Sequence, residues 1–220
     1  MKYLEPITVE TNPPVTATVI WLHGLGASGD DFKPIIPDLC LPKTLGIRFI
    51  FPHAPMIPVT VNGGYVMPAW YDILDMKIER KFDSDQLLAS ARFVHTLMDK
   101  EIAAGIDSRR ILLAGFSQGG AVGYQAALSY AQPIGGLIAM STYFATSDSI
   151  EVHKANRALP IKIFHGTSDT VVSESLGRSA VDRLSALGFS PDYQTYPMAH
   201  TVCAEEVQAT SSWIQSVLDA

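Results

Sequence analysis

The sequence predicts an α/β architecture, a mostly parallel central sheet with helices on both faces, and three observations predict it. Short apolar runs alternate with helical patterns along the chain. The connections between them are long enough to cross over a sheet. No charged residue occurs from Ile111 to Ser147, as expected where central parallel strands are covered on both faces. At 220 residues, 47% of them hydrophobic, the chain can bury a large core and is expected to form one domain over residues 1–220.

Thr16 to Leu22 (TATVIWL) reads as a β-rich run ending before Gly24, and Ile47 to Phe51 as a second, stopped by Pro52. Between Asp83 and Ile102, Leu87, Ala91, Val94, Met98 and Ile102 recur at helical spacing, with Asp83 and Gln86 placed as a capping box and Gly105 as terminator. Ile111 to Ala114 (ILLA) reads as a buried strand, Gln118 to Tyr130 as a helix, Gly136 to Met140 and Ile161 to Phe164 (IKIF) as strands. Ser173 is placed to cap a helix carrying Leu176, Ala180, Leu184 and Leu187 on one face. Asp192 to Tyr196 gives a last strand, and Val207, Ser211, Ile214 and Leu218 align along a closing helix. In such sheets chemistry gathers in the loops beyond the carboxyl ends of the strands.

Composition narrows the function. A formal charge of −6 without a Lys/Arg cluster argues against nucleic acid or anionic lipid as partner, since both require basic patches. Cys40 and Cys203 are too few for a disulfide framework and are expected as buried or half-buried thiols. Glu5 and Pro6 interrupt the apolar run that a secretory signal would need, so the protein is expected in the cytoplasm. The uncharged stretch is long enough to cross a membrane, but Ser117, Gln118, Gln125, Ser129, Gln132 and Pro133 interrupt it. Strand, turn, buried helix and strand account for it, without an integral membrane segment.

After ILLA comes Gly115-Phe116-Ser117-Gln118-Gly119-Gly120. G-x-S-x-G arises by chance in roughly 5–10% of chains of this length, so alone it is weak. Placed between a strand and a helix it becomes a nucleophile elbow, a sharp turn that projects the serine hydroxyl, with Gly115 and Gly119 letting strand and helix approach.

Serine needs a base, and histidine titrates near neutrality. His53, His95 and His153 fall in surface or packing contexts, His23 opens His23-Gly24-Leu25-Gly26, and His165 ends the IKIF strand. His200, in Tyr196-Pro197-Met198-Ala199-His200, follows the last strand, where a base belongs if the chain order is serine, acid, histidine. The acid that orients the imidazole should then lie in a loop after an intervening strand. Asp169, in His165-Gly166-Thr167-Ser168-Asp169, meets this, and Asp148, further from its strand end, is the rival. An oxyanion hole needs two backbone N–H groups: Gln118 follows the nucleophile, and Leu25 lies in the glycine-flanked loop after the first strand.

HGLGASG, FPHAP, AWYDI, GFSQGG, HGTSD and YPMAH, in this order, resemble the carboxylesterase and acyl-protein thioesterase (lysophospholipase-like) family, over roughly Thr18 to the C-terminus. The resemblance implies an α/β-hydrolase fold and hydrolysis of short- to medium-chain esters or S-acyl thioesters, and a chain this short leaves little sequence for a separate lid domain. The resemblance also implies no metal or organic cofactor, a catalytic set of Ser117, Asp169 and His200, and an oxyanion hole at Leu25 and Gln118. Ala27 stands where many relatives carry an acidic residue, and Ala199 where many carry glycine. A lysophospholipase, or a catalytically silent hydrolase-fold protein that binds an acyl chain, are the alternatives, with a peptidase weaker.

From Met56 to Lys81, Pro58, Gly63, Gly64 and Pro68 break any periodicity, yet the segment is rich in large apolar residues. It reads as a long functional loop over the acyl chain. Met67, Trp70, Tyr71, Ile73 and Leu74, with Val171, are the candidate substrate contacts, although buried aromatics are commonly packing residues. The expected partners are a small acyl ester or thioester, a lipidated protein or a lysophospholipid, and a second copy of the chain docking on the exposed apolar part of the loop from Met56 to Met76.

Overall fold

The computed structural model describes residues 2–75 and 81–219. In chain order the strands and helices are β1 (Ile7–Thr11), β2 (Ala17–Leu22), β3 (Ile47–Phe51), β4 (Met56–Val59), β5 (Tyr65–Pro68), β6 (Ile73–Asp75), β7 (Lys81–Phe82), α1 (Ser84–Ala103), β8 (Ile111–Phe116), α2 (Gln118–Ser129), β9 (Gly136–Met140), β10 (Ile161–Gly166), α3 (Glu174–Ala186), β11 (Asp192–Tyr196) and α4 (Ala204–Leu218).

Seven strands form the main sheet in the order β1-β3-β2-β8-β9-β10-β11. All neighbours pair parallel except β1, which lies antiparallel on β3 and closes that edge. β2, β9 and β10 are buried along their whole length, and β8 at all but its last residue, because helices cover both faces. On one face α1 (Leu87, Ala91, Val94), α2 (Ala121, Val122) and α3 (Ala180, Leu184) share a core with Ile20, Leu113 and Ile163 of the sheet. On the other, α4 (Val207, Ile214, Leu218) and Leu39 pack with Val19, Trp21, Leu112 and Phe164. Alternate residues of each strand thus feed opposite cores. The expected sheet with helices on both faces is what forms.

Several local expectations change. Asp83 does cap α1, its Oδ1 accepting from Gln86 N at 3.0 Å, but the reciprocal half of the capping box is absent. The Gln86 amide oxygen instead accepts from Asp72 N at 2.8 Å, tying the helix to the segment before it. α3 ends at Ala186, leaving Leu187 as its exposed C-cap rather than a core position. Cys203 is half-buried, but Cys40 is exposed, because it caps a short surface turn in a left-handed conformation (φ 47°). The stretch from Met56 to Lys81 is not one irregular loop: β4 pairs with β5 and β6 with β7, each pair antiparallel. Met76, part of the expected loop, lies outside the described residues.

The carboxyl ends of β2, β8, β10 and β11 point to one edge of the sheet. The loops that follow them carry Leu25, Ser117, Asp169 and His200.

Candidate active site

Ser117 sits between β8 and α2 with φ 54° and ψ −121°, a region that L residues avoid. Such a conformation costs of order 1–3 kcal/mol and persists only where its surroundings enforce it. Here Ser117 N–H donates to Met140 O at 2.9 Å, and Ser117 O accepts from Gly120 N at 3.0 Å and from the Thr142 hydroxyl at 2.5 Å. Glycine is required beside it by close approach. A Cβ on Gly119 would stand 2.4 Å from Leu22 O, and one on Gly115 2.5 Å from Gly119 O.

His200 reaches this turn from the loop after β11. Its Nε2 lies 3.0 Å from Ser117 Oγ, and its Nδ1 2.6 Å from Asp169 Oδ2. Asp169 is buried, and its other oxygen, Oδ1, accepts from Val171 N at 2.9 Å and Val172 N at 2.8 Å. An ionised carboxylate only accepts, so the His200 proton sits on Nδ1 and Nε2 is left as the acceptor for the serine hydroxyl. The order serine, base, carboxylate is therefore one of directed proton acceptance. The rival Asp148 is exposed and pairs with Arg183 at 2.7 Å, as a solvated loop residue would.

Two other histidines hold the surrounding loops. His23 is buried, its Nε2 accepting from Ala54 N at 3.1 Å while Nδ1–H donates to Gly24 O at 2.7 Å. Burial pushes its pKa below the usual histidine value, so it stays neutral and fixes the start of the Gly24-Leu25-Gly26 loop. His165, equally buried, donates Nε2–H to Val172 O at 2.8 Å, bracing the turn that presents Asp169, and burial again lowers its pKa.

The backbone N–H groups of Leu25 and Gln118 are engaged by no protein acceptor among the described residues, leaving both free to bind a substrate oxygen. The Gln118 side chain is fully committed: its oxygen accepts from Trp70 N at 2.8 Å and its nitrogen donates to Tyr71 O at 2.6 Å. This clamp carried no signal in the sequence beyond the polar residue after the serine.

A cavity of about 580 Å³ opens over Ser117, His200, Leu25 and Gln118. Of the six candidate substrate contacts, Ile73 and Val171 line it; Trp70, Tyr71, Met67 and Leu74 do not. Trp70 and Tyr71 are completely buried, because the Gln118 clamp and the Trp70 indole N–H, bonded to His23 O at 2.8 Å, draw them inward. Leu74 points to solvent, and Met67 lies alongside the Gly26 loop. Val61, Tyr143, Phe32, Phe116, Thr201 and Val202 complete most of the apolar lining. Tyr143 is held by a 2.7 Å hydrogen bond between its hydroxyl and that of Tyr71. No group of three or more His, Cys, Asp or Glu suited to a metal ion occurs among the described residues.

The profile of the family described as Phospholipase/Carboxylesterase matches residues 5–218. Acyl-protein thioesterase 1 of Neurospora crassa is 36% identical over 220 residues, covering 95% of this chain and 90% of the relative. Carboxylesterase SOBER1 of Arabidopsis thaliana is 32% identical over 202 residues, covering 90% and 89%. The crystal structure of Zea mays acyl-protein thioesterase 2 superposes with a TM-score of 0.87 at 27% identity, covering 97% of this chain and 99% of that one.

Proposed function

The chain belongs to the phospholipase/carboxylesterase family of α/β-hydrolases, and from that membership we propose that it hydrolyses short- to medium-chain carboxylic esters or S-acyl thioesters through an acyl-Ser117 intermediate. It is a serine hydrolase, like the thioesterases and carboxylesterases it is similar to.

The observation that carries the mechanism is the pair of distances about His200, 3.0 Å to Ser117 Oγ and 2.6 Å to Asp169 Oδ2. Ser117 attacks the acyl carbon as its proton passes to His200 Nε2. The Leu25 and Gln118 N–H groups bind the developing oxyanion, each worth on the order of 10²–10³ in rate. Collapse breaks the bond to the alcohol or thiol, which leaves with the proton from His200. Water then repeats the sequence on the acyl-enzyme, returning Ser117. Asp169 keeps the imidazole proton on Nδ1 and stabilises the imidazolium. The acyl chain lies along Val61, Ile73, Tyr143 and Val171 of the cavity.

The remaining parts of the reading are a single domain over residues 1–220, a cytoplasmic setting that keeps Cys40 and Cys203 as thiols, and self-association. No helix among the described residues is long and apolar enough to cross a membrane. Met56, Tyr65, Val66 and Leu74 are exposed on the hairpin strands and give a second copy its surface.

A serine-reactive phosphonate tests the mechanism. Intact protein gains one adduct mass, and Ser117→Ala gains none and loses turnover of a matched oxyester and thioester. Equal labelling of both proteins would refute the reading.

A further inference from the structure

One wall of the cavity continues from His200. The His200 ring packs against Phe116 at 4.7 Å, Phe116 against Phe32 at 5.7 Å, and Thr201 and Val202 extend the same wall. His200 must hand its proton to the departing alcohol or thiol, so the wall contiguous with it faces the leaving group. Asp31, next to Phe32, also lines the cavity, and no described lysine or arginine does. Its Oδ2 is fixed by Ser28 N–H at 2.7 Å and the Ser28 hydroxyl at 2.9 Å. Those two donors hold the carboxyl below its usual pKa, so it is a permanent anion at neutral pH. The other residues of this loop at the cavity, Gly24, Leu25, Ala27 and Phe32, carry no charge to offset it.

We propose that Asp31 determines leaving-group specificity, favouring acyl esters and thioesters whose alcohol or thiol portion is cationic over those in which it is anionic, such as a phosphodiester. The inference rests on the serine hydrolase reading and deepens it. In the favoured reaction the acyl–sulfur or acyl–oxygen bond breaks, the acyl–Ser117 bond forms, and the serine proton travels through His200 to the departing atom. The carboxylate takes no part in these transfers. It sets the potential in which the head group of the leaving molecule sits. A unit charge brought close to this exposed carboxylate is shifted several-fold in binding, in opposite directions for the two signs. The cation-to-anion ratio of kcat/KM therefore carries roughly a tenfold contribution from this one group, most of which added salt screens.

The test uses three thioesters of one acyl chain, with thiocholine, 2-mercaptoethanol and 2-mercaptoethanesulfonate as leaving thiols, and the same three head groups on oxygen esters. Asp31→Asn keeps an oxygen acceptor for Ser28 while removing the charge. The cation-to-anion ratio should fall roughly tenfold in this variant. In the unmodified protein it should fall by most of that factor on going from low salt to about 0.5 M salt. Because the ratio is internal to each protein, a general loss of activity does not affect it, and the salt series decides the matter should Asp31→Asn fail to fold. A ratio that is the same within twofold in both proteins, or indifferent to salt, overturns the role of Asp31. If instead the unmodified protein turns over none of the esters and Ser117 takes no phosphonate, the hydrolase reading itself has failed.

Discussion

Replacing Asp169 by Asn is nearly isosteric, yet the hydrogen bonds around it force a large effect. Oδ1 of Asp169 accepts from the N–H groups of both Val171 and Val172, and Oδ2 faces His200 Nδ1. An amide must keep its oxygen toward the two backbone donors, since turning it round would set buried donors against donors at a cost of about 1–3 kcal/mol for each group left unmet. The amide nitrogen then donates to His200 Nδ1. The imidazole proton moves to Nε2, which can no longer accept from Ser117 Oγ–H at 3.0 Å. Losing the correct tautomer in a Ser-His-Asp arrangement lowers kcat by about 10⁴, equivalent to about 5.5 kcal/mol of barrier. Under saturating ester at pH 7, Asp169→Asn should fall by that order with a melting temperature close to the parent, and the phosphonate labelling rate should fall in parallel. Asp148→Asn, at the exposed pair with Arg183, should stay within about twofold. The reasoning is refuted if Asp169→Asn keeps more than about a tenth of the parental kcat, a loss of only ~1.4 kcal/mol.

Three other substitutions probe the scaffold and the site. Gly119→Ala would place Cβ 2.4 Å from Leu22 O and 2.6 Å from His23 O, so it should cost about 3 kcal/mol or more of stability in denaturant melts; a midpoint unchanged from the parent would contradict the close approach. Gln118→Ala removes the acceptor of the buried Trp70 N–H and the donor to Tyr71 O, which should cost about 1–3 kcal/mol in stability and reduce kcat more than it raises KM, whereas a pure KM effect would mean that the clamp does not set the oxyanion N–H. Glu206, buried in α4 with neither oxygen partnered, is pushed by burial from 4.5 up to about 8. The unfolded chain sheds this proton above its ordinary pKa and the folded one holds it to about 8, so stability is full below pH 4.5 and drains as pH rises to 8. Glu206→Gln removes that slope, and the difference from the parent should grow by up to ~4 kcal/mol between pH 5 and 8 in thermal melts; parallel stability curves would disprove it.

The parts of the fold that the sequence reveals are those where burial repeats in register. β9 falls on the expected boundaries because a central strand covered on both faces reads as an unbroken apolar run; β3 (IRFIF) and the edge strand β11 (DYQTY) match as well, carried by their β-branched and aromatic residues. The edge strand β1 (ITVET) carries a period-2 pattern but little apolar content, as one flank and one face stay wet. The hairpin β4–β5 hides behind its prolines. Pro58 pairs with Val66 and Met56 with Pro68, which a two-stranded ribbon tolerates because each strand has a free edge where a missing N–H costs nothing. Asn62-Gly63-Gly64, with both glycines at positive φ, is the turn signal that periodicity alone passes over. In the site, residue type and strand-end position pick out Ser117, His200 and Asp169, but composition cannot distinguish an aromatic that lines a cavity from one that seals it. Trp70 is sealed because its indole N–H must find His23 O, a long-range pairing with no local pattern. Asp31 was equally hidden, since Gly29-Asp30-Asp31 reads as an ordinary solvated turn.

β9 contributes nothing to the proton path, yet it determines where the path can run. Its Met140 pairs with both Phe116 at the end of β8 and Phe164 near the end of β10, and Gly166 of β10 in turn pairs with Tyr196, the last residue of β11. The three strands that lead to Ser117, Asp169 and His200 therefore end nearly level. The loops from Gly166 to Asp169 and from Tyr196 to His200 need only a few residues to converge on the serine. Met140 O also accepts the Ser117 N–H, and Ser141 N–H donates to Phe164 O, so β9 ties the strained turn to the strand that presents the acid. Asp148, the carboxylate that follows β9 itself, does not approach the imidazole. Its chain instead runs outward to Arg183 on α3. His200 follows β11, and the acid that meets it follows β10, the strand paired with β11, which places Asp169 rather than Asp148 at the imidazole.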